Sequence, residues 1–188
     1  MIGILSLQGD VAEHRNHVLA RYPRVKSVKR PGDLKGLRAI ILPGGESTTI
    51  TKLLTSSGLD TPLKDMIRGG LPVWGTCAGA ILLCENGIFS AVEAQVERNS
   101  YGPQLASCIK KGTLKGFLEP VPMVFIRAPR ITGVGSGVET LSIVDGDIVA
   151  LRQKTIFITT YHPELMNDQT SLSLFLDIIS GSSPSRMS

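Results

Sequence analysis

The sequence predicts an α/β protein, a three-layer sandwich in which a mostly parallel central sheet carries helices on both faces. Up to about residue 83, apolar runs of strand length alternate with segments of helical periodicity, and this alternation is typical of parallel sheets. The first run, 2–7, is nearly all apolar, as expected for a central strand that is covered on both faces. Later segments are short strands with few helices between them, which predicts some antiparallel members.

The chain is long enough for one domain with a substantial core. It has 188 residues, of which 42% are hydrophobic and 19% are charged, an ordinary balance for a globular protein. We place a single domain at 1–180. The remaining tail, 181–188, is rich in Ser, Gly and Pro and is expected to be flexible.

Composition argues against several classes of function. The formal net charge is +4, but the basic residues are scattered and aromatic residues make up only 5% of the chain, so no nucleic-acid groove is expected. No apolar run approaches the roughly 20 residues that span a bilayer, and the N-terminus lacks the features of a signal peptide. The three cysteines suggest neither a disulfide framework nor a zinc site, so we expect a reducing, cytoplasmic location and no metal.

The periodicity of the chain predicts the order of its elements. Strands are expected at 2–7, 25–28, 38–42, just before Cys77, and at 88–97, 105–110, 121–126, 139–144, 148–152 and 155–160. Helices are expected at 11–21, 48–56, 61–69, just after Cys77 and at 171–179, with a short one near 33–36. The loops at Gln8, Gly44 and Cys77 each follow a strand, so they can converge on the edge where such sheets bind ligands.

The segment 71–83 carries the strongest functional signal. A short apolar run ends in Gly-Thr-Cys-Ala-Gly and a second run of helical composition follows, so Cys77 lies at a strand-to-helix turn. Small residues two positions before and after Cys77 let the backbone turn tightly, which is the layout of a nucleophile elbow. The start of a helix favours a thiolate there. The alternative is a structural cysteine, since free cysteines are often buried.

A thiolate nucleophile needs a general base and a group that orients the base. His162 follows the last predicted strand, Glu164 lies two residues further on, and Pro163 stiffens the turn between them. The carboxylate can accept from one ring nitrogen and leave the other facing the sulfur. The alternative is a capping glutamate beside an incidental histidine. His14 and His17 could in principle share a metal, but we expect instead a surface or partner-facing helix.

A developing oxyanion needs preorganised hydrogen-bond donors. The loop 44–47, with the sequence Gly-Gly-Glu-Ser, offers backbone N–H groups after a strand, and Ala78 can donate the N–H that follows the cysteine. The same loop can be an ordinary strand-to-helix connection in which Ser47 or Thr48 is the N-cap. The two roles are compatible.

These motifs together resemble the class I glutamine amidotransferases, whose fold is flavodoxin-like. The shared features are Gly-Thr-Cys-Ala-Gly, the upstream Gly-Gly loop, the late His-Pro-Glu, and the chain order of Cys77, His162 and Glu164. Within that superfamily the sequence is similar to the glutaminase subunits of the two-protein pyridoxal 5′-phosphate synthase. The similarity extends to about Phe175 and rests on further blocks at 5–14, 42–49, 96–102 and 124–129.

The resemblance implies a role for each matching residue. Cys77 would be the nucleophile that forms a γ-glutamyl thioester, His162 the general acid and base, and Glu164 its orienting carboxylate. The residues implied to bind L-glutamine are Gly45, Glu46, Ser47, Arg98, Ile126 and Arg127. Those implied for the oxyanion site and the partner interface are Gln8, Gly44 and Ala78. Without the resemblance, Arg98 and Arg127 are first interpreted as partners in surface salt bridges.

The resemblance also implies a partner. The chain would hydrolyse L-glutamine without a cofactor and pass the ammonia to a synthase subunit, in a hetero-oligomeric complex that makes pyridoxal 5′-phosphate. The helix that carries His14 could contact this partner. Two departures from the family pattern, a short segment between Cys84 and Val96 and the presence of Gln104, leave the catalytic residues unchanged.

Three other interpretations remain open from the sequence. The chain could be an amidotransferase subunit for histidine or guanine nucleotide synthesis. It could be a relative with the same elbow but another activity, such as a cysteine peptidase or a chaperone-like protein. It could also be a non-catalytic regulatory subunit, although an intact set of Cys77, His162 and Glu164 argues against that.

Overall fold

The computed structural model describes residues 1–98 and 107–181 of the chain. Its strands are β1 (Ile2–Leu5), β2 (Val25–Val28), β3 (Ala39–Leu42), β4 (Val73–Thr76), β5 (Ala94–Glu97), β6 (Ser107–Gly112), β7 (Val121–Ile126), β8 (Arg130–Val134), β9 (Glu139–Val144), β10 (Asp147–Gln153) and β11 (Ile156–Thr159). Its helices are α1 (Val11–Leu19), α2 (Ser47–Ser56), α3 (Asp60–Arg68), α4 (Ala78–Leu83) and α5 (Thr170–Ser180), with 3-10 turns at Pro31–Leu34 and Pro163–Leu165. No helix in the described ranges is both long enough and apolar enough to cross a membrane.

Five parallel strands form the centre of the sheet. They pair in the order β2-β1-β3-β4-β11, and each neighbouring pair is parallel. All residues of β1, β3, β4 and β11 are buried, because other elements cover both faces of the sheet. This double burial explains why these strands appear in the sequence as almost continuous apolar runs.

The sheet continues beyond β11 with antiparallel strands. β10 pairs with β11, β9 and β8, and β8 pairs in turn with β5, always antiparallel. β6 and β7 form a separate antiparallel hairpin. The predicted antiparallel members of the second half of the chain are therefore confirmed.

The sheet separates two hydrophobic cores, since successive residues of a strand point to opposite faces. One core lies against α2, α3 and α4, and its members include Ile40, Leu42, Ile50, Leu54 and Leu63. The other lies against α1 and α5 and surrounds Trp74, whose ring stacks on Phe157 with centroids 5.4 Å apart. This arrangement confirms the predicted three-layer sandwich with a mostly parallel sheet.

The predicted strand 88–97 is wrong over its first six residues, because only Ala94–Glu97 pairs with a neighbouring strand. Residues 88–93 fold back on the end of α4 instead. There the N–H groups of Phe89 and Val92 donate to the carbonyls of Leu82 and Leu83, respectively. Phe89 and Val92 of this loop are buried, and an apolar run alone does not distinguish such a loop from a strand.

Two further differences concern the second half of the chain. Strand β8 is not predicted from the sequence, because its five residues show little apolar alternation and include Gly133, a residue that weakens strands. The predicted strand 105–110 corresponds to β6, but its first two residues lie outside the described ranges. The predicted flexible tail 181–188 also lies outside them, apart from Gly181.

Candidate active site

Several loops meet at the edge where the parallel strands end, and they enclose a cavity of about 430 Å³. The predicted site residues on its wall are Gln8, Gly45, Glu46, Ser47, Cys77, Ala78, Arg98, Ile126, Arg127 and His162. Gly44 and Glu164 lie directly behind this wall, where both face His162. The structure therefore brings together every residue that the sequence indicates for the site.

Cys77 lies at a sharp turn between β4 and α4. Its φ of 46° falls in the left-handed region, which L-residues rarely adopt and which often marks functional turns. The Cys77 N–H donates to the Thr159 carbonyl of β11 at 2.9 Å, which ties the turn to the sheet. Gly79 allows α4 to approach β3, because a Cβ at this position would overlap the Leu42 carbonyl. This local geometry is that of a nucleophile elbow.

His162 and Glu164 form a buried pair beside the thiol. Nδ1 of His162 lies 2.7 Å from Oε1 of Glu164. The backbone N–H of His162 donates to the Val124 carbonyl at 2.8 Å. A proton on Nδ1 that is shared with the carboxylate leaves Nε2 to exchange a proton with a reacting group. Nε2 has no well-aligned hydrogen-bond partner among the described residues, although the Cys77 sulfur interacts with the ring.

Asp10 belongs to the site but is not singled out from the sequence. It lies on the cavity wall, and its Oδ2 is 3.3 Å from Nδ1 of His162. The hydrogen bond with His162 lowers the pKa of Asp10 from 3.8, although partial burial opposes this shift. The sequence indicates a role for Asp10 only through its position, two residues after Gln8 and beyond the end of the first buried strand.

His162 is surrounded by groups that favour its protonated form. Burial lowers its pKa, but interactions with Asp10, the Cys77 sulfur and Glu164 outweigh burial, so that the pKa is raised. A protonated imidazole beside a cysteine stabilises the thiolate, which is the nucleophilic form. The arrangement therefore suits a thiolate–imidazolium pair.

His14 and His17 are buried, so the expected surface or partner-facing helix is wrong for these two side chains. His14 is 0% exposed, and its Nε2 lies 2.9 Å from Oγ1 of Thr76. The rings of both histidines lie against Trp74, with centroids 6.1 Å and 6.4 Å away. His14 lies four residues before the buried Val18 and therefore on the same face of α1. This spacing is the feature of the sequence that predicts burial of His14.

Within the described ranges, one group of side chains offers three metal-ligand atoms close together: Asp10, His162 and Glu164. The 2.7 Å between Nδ1 of His162 and Oε1 of Glu164 is a hydrogen-bond distance. This distance suits a proton that the two atoms share. The group is therefore interpreted as a hydrogen-bonded cluster that orients the imidazole.

The loop 44–46 is held by the loop that follows β1. The Glu46 N–H donates to Oε1 of Gln8 at 2.9 Å, and the Asp10 N–H donates to the Gly44 carbonyl at 3.2 Å. Ala78 begins α4, so its N–H lacks an acceptor within that helix, and the residue lies on the cavity wall. The predicted oxyanion groups therefore lie together at one side of the cavity.

Glu46 caps helix α2, so the expected N-cap at Ser47 or Thr48 is wrong. Its carboxylate accepts from the backbone N–H of Thr48 at 3.1 Å and from that of Thr49 at 2.6 Å. Hydrogen bonds from Thr49 and then Thr48 lower the pKa of Glu46 to about 2. The ionised carboxylate therefore satisfies the free donors of the first turn, as a shorter capping side chain would.

Arg98 lies across the mouth of the cavity. Its guanidinium donates to Oε1 of Glu46 at 3.1 Å and to Oγ1 of Thr48 at 3.2 Å, and about half of each side chain in this ion pair is exposed. Arg127 follows β7 with a φ of 45°, which places a strained backbone on the cavity wall. The carbonyl oxygen of Ile126 lies 3.9 Å from Sγ of Cys77.

The fold and this arrangement are those expected of the class I glutamine amidotransferases, with a cysteine, a histidine and a glutamate in that chain order. A model of the SNO glutamine amidotransferase family matches residues 4–179. The chain therefore belongs to the SNO glutamine amidotransferase family.

Two curated relatives, each covered over nearly its whole length, have the same name. The pyridoxal 5′-phosphate synthase subunit PdxT of Clostridium beijerinckii is 47% identical over 182 residues, covering 93% of this chain and 96% of that protein. The subunit of the same name from Streptomyces avermitilis is 40% identical over 188 residues, covering 95% and 94%.

Solved structures resemble the chain over nearly its whole length. A crystal structure of a glutamine amidotransferase has a TM-score of 0.88 at 37% identity and covers 95% of this chain and 98% of that chain. The structure of PurLQS from Thermotoga maritima has a TM-score of 0.69 at 13% identity, covering 96% and 94%. The second likeness shows the fold alone.

Proposed function

We propose that this chain is the glutaminase subunit of a pyridoxal 5′-phosphate synthase, which hydrolyses L-glutamine and supplies ammonia to a synthase subunit. The observation that carries the proposal is that Cys77 and His162 line one cavity, with Oε1 of Glu164 at hydrogen-bond distance, 2.7 Å, from Nδ1 of His162. Family membership and the name PdxT of relatives up to 47% identical support the same conclusion.

The reaction would proceed through a thioester. The Cys77 thiolate attacks the side-chain amide carbon of glutamine, and the carbonyl oxygen becomes an oxyanion near Ala78 and the loop 44–46. His162 donates its proton from Nε2 to the leaving nitrogen, so ammonia departs and a γ-glutamyl thioester remains. The neutral ring then takes a proton from water, whose oxygen attacks the thioester, and the thiolate leaves with release of glutamate.

Substrate recognition would use the charged groups at the cavity mouth. The Arg98 guanidinium can bind the α-carboxylate of glutamine through paired N–H donors, while the ionised Glu46 can attract the α-ammonium group. The Ile126–Arg127 segment and Ser47 line the remaining wall. The salt bridge expected for Arg98 is the one with Glu46. Substrate binding would replace it, because the two charges of glutamine would bind to the same two side chains.

The partner would be a synthase subunit in a hetero-oligomeric complex, and its binding would raise the activity. In this structure the Glu46 N–H is used by Gln8 and the Gly44 carbonyl is used by Asp10. The first contact occupies one N–H donor of the oxyanion loop and both contacts hold the loop in place, so docking at the strand ends would have to reset it. The proposed location is the cytoplasm, and three free cysteines are compatible with a reducing compartment.

The test measures glutamate release from L-glutamine by the wild-type chain and by Cys77→Ser, with and without the synthase subunit of a pyridoxal 5′-phosphate synthase. We expect weak activity of the chain alone, stimulation by that subunit and loss of activity in the variant. The synthase subunits of histidine and guanine nucleotide pathways serve as controls. Stimulation by one of those controls, or unchanged hydrolysis by Cys77→Ser, would contradict the proposal.

A further inference from the structure

Glu164 has one carboxylate oxygen that the proposed triad does not use. Its Oε1 contacts Nδ1 of His162 at 2.7 Å, but its Oε2 is buried and lacks a well-aligned hydrogen bond among the described residues. The nearby donor is Nε2 of His14 on helix α1, which lies 3.4 Å from Oε2. Both side chains are 0% exposed, so bulk water does not reach either group.

The protonation of His14 determines what it can do. Burial lowers its pKa more than the facing Glu164 raises it, and His17 and His162 lower it further, while Asp10 raises it slightly. His14 is therefore a neutral ring with one N–H. Its Nδ1 is buried without a partner in the described structure, whereas Nε2 lies 2.9 Å from Oγ1 of Thr76.

The position of the proton follows from these contacts. A proton on Nδ1 would bury an N–H without an acceptor and leave Oε2 of Glu164 without a donor, and orphaned buried N–H groups are rare. A proton on Nε2 places the donor toward Oγ1 of Thr76 and Oε2 of Glu164, at 2.9 Å and 3.4 Å. The second arrangement gives the buried N–H of His14 an acceptor at 2.9 Å and directs it toward the negatively charged Oε2 at 3.4 Å.

We propose that His14 is a positioning residue, which holds the Glu164 carboxylate through Nε2–H and so fixes the ring of His162 relative to Cys77. The proposal deepens the proposed glutaminase function and rests on it. His14 does not line the cavity, so it acts through the two side chains that its Nε2 faces, Glu164 and Thr76. It extends the predicted set of three residues to a chain of four, from α1 through the turn Pro163–Leu165 to the elbow.

Three variants separate positioning from packing. His14→Phe keeps a ring against Trp74 but removes the donor, while His14→Gln keeps an N–H near the position of Nε2. His17→Phe is the matched control, because His17 lies three residues further along α1, is also buried against Trp74, and contacts Gln169 at 3.3 Å. Thermal unfolding of each variant is measured alongside its kinetics.

The assay measures kcat and KM for glutamine hydrolysis with saturating synthase subunit. His14→Phe should lower kcat about 10- to 100-fold, the usual effect of losing a group that orients a reactive side chain, with little change in KM. His14→Gln should recover most of kcat, and His17→Phe should stay within about twofold of wild type. A kcat for His14→Phe equal to that of His17→Phe, or no recovery in His14→Gln, would overturn the proposal.

A second comparison applies if His14→Phe does not fold. His14→Asn and His14→Gln carry the same amide, but the shorter Asn cannot extend it as far toward Glu164, so only His14→Gln should retain kcat. Equal activity of the two would refute the proposal. The wild-type chain tests the proposed function in the same assay, because that function requires it to hydrolyse glutamine. The variants test only the role of His14.

Discussion

Gly44→Ala should reduce glutaminase activity without unfolding the chain, because the new methyl group would meet the catalytic imidazole. A Cβ at position 44 would lie 2.5 Å from Cε1 of His162 and 2.6 Å from Oδ2 of Asp10. Carbon atoms pack at about 3.5–4.0 Å, so the ring or the loop must move by roughly 1 Å. A displacement of that size in catalytic geometry costs about 100-fold in rate.

The assay for Gly44→Ala is kcat/KM for glutamine with saturating synthase subunit, beside thermal unfolding of the chain alone. The φ of Gly44 is not positive, so an alanine there adds crowding rather than backbone strain. Gly32→Ala is the matched control, since a Cβ at Gly32 has no neighbour within 4 Å and its φ is also not positive. Activity of Gly44→Ala within about twofold of the control would refute the assigned contact between the loop and the imidazole.

Three further predictions follow from other contacts. Gly79→Ala should lower the free energy of unfolding in urea by about 1–3 kcal/mol or more, because its Cβ would overlap the Leu42 carbonyl, whereas an unchanged value would contradict the tight packing of α4 on β3. Arg98→Ala should raise KM for glutamine about tenfold with a smaller effect on kcat, and a loss confined to kcat would argue against a binding role. The pKa of Asp10 is lowered from 3.8, so its ion pair stabilises the fold above that pH and is lost as pH falls through the folded-state pKa. The difference in unfolding free energy between wild type and Asp10→Asn should therefore shrink in acid, and a difference independent of pH would contradict the Asp10–His162 contact.

Much of the site is predictable because parallel strands direct their carboxyl ends to one edge. Cys77 and His162 are 85 residues apart in the chain, yet each follows a buried strand, and β4 and β11 are neighbours in the sheet. Their proximity therefore follows from the strand pattern once the sheet is recognised as parallel. The same reasoning places the loop 44–47 beside them, because β3 also pairs with β4.

The buried polar residues behind the site are not predictable in this way. The helical period places His14 on the inner face of α1 with Val18, but only tertiary packing decides that an imidazole there meets Glu164 and Thr76 rather than a partner protein. Asp10 is similar, because its contact with His162 depends on how the turn after β1 lies against the turn after β11. Polar burial depends on distant partners that no local pattern encodes.

Local competition explains the remaining differences. Helix α2 begins at Ser47, so Glu46 is its N-cap, and the Glu46 carboxylate accepts from the N–H groups of Thr48 and Thr49 in place of the expected Ser47 or Thr48 side chain. Residues 88–93 are mostly apolar, as strand residues would be, but the N–H groups of Phe89, Ala91 and Val92 donate to the end of α4 rather than to a neighbouring strand. In both cases the sequence is compatible with either local structure, and tertiary contacts determine which one forms.

The central claim is that Cys77 is the nucleophile of a glutaminase, and covalent trapping tests it most directly. The chain is incubated with a glutamine analogue that carries an electrophile in place of the side-chain amide, and the labelled peptide is identified by mass spectrometry. We predict one label per chain, on Cys77 and not on Cys84 or Cys108, with protection by L-glutamine and loss of hydrolysis in step with labelling. Labelling at another residue, or full hydrolytic activity after Cys77 is labelled, would contradict the mechanism.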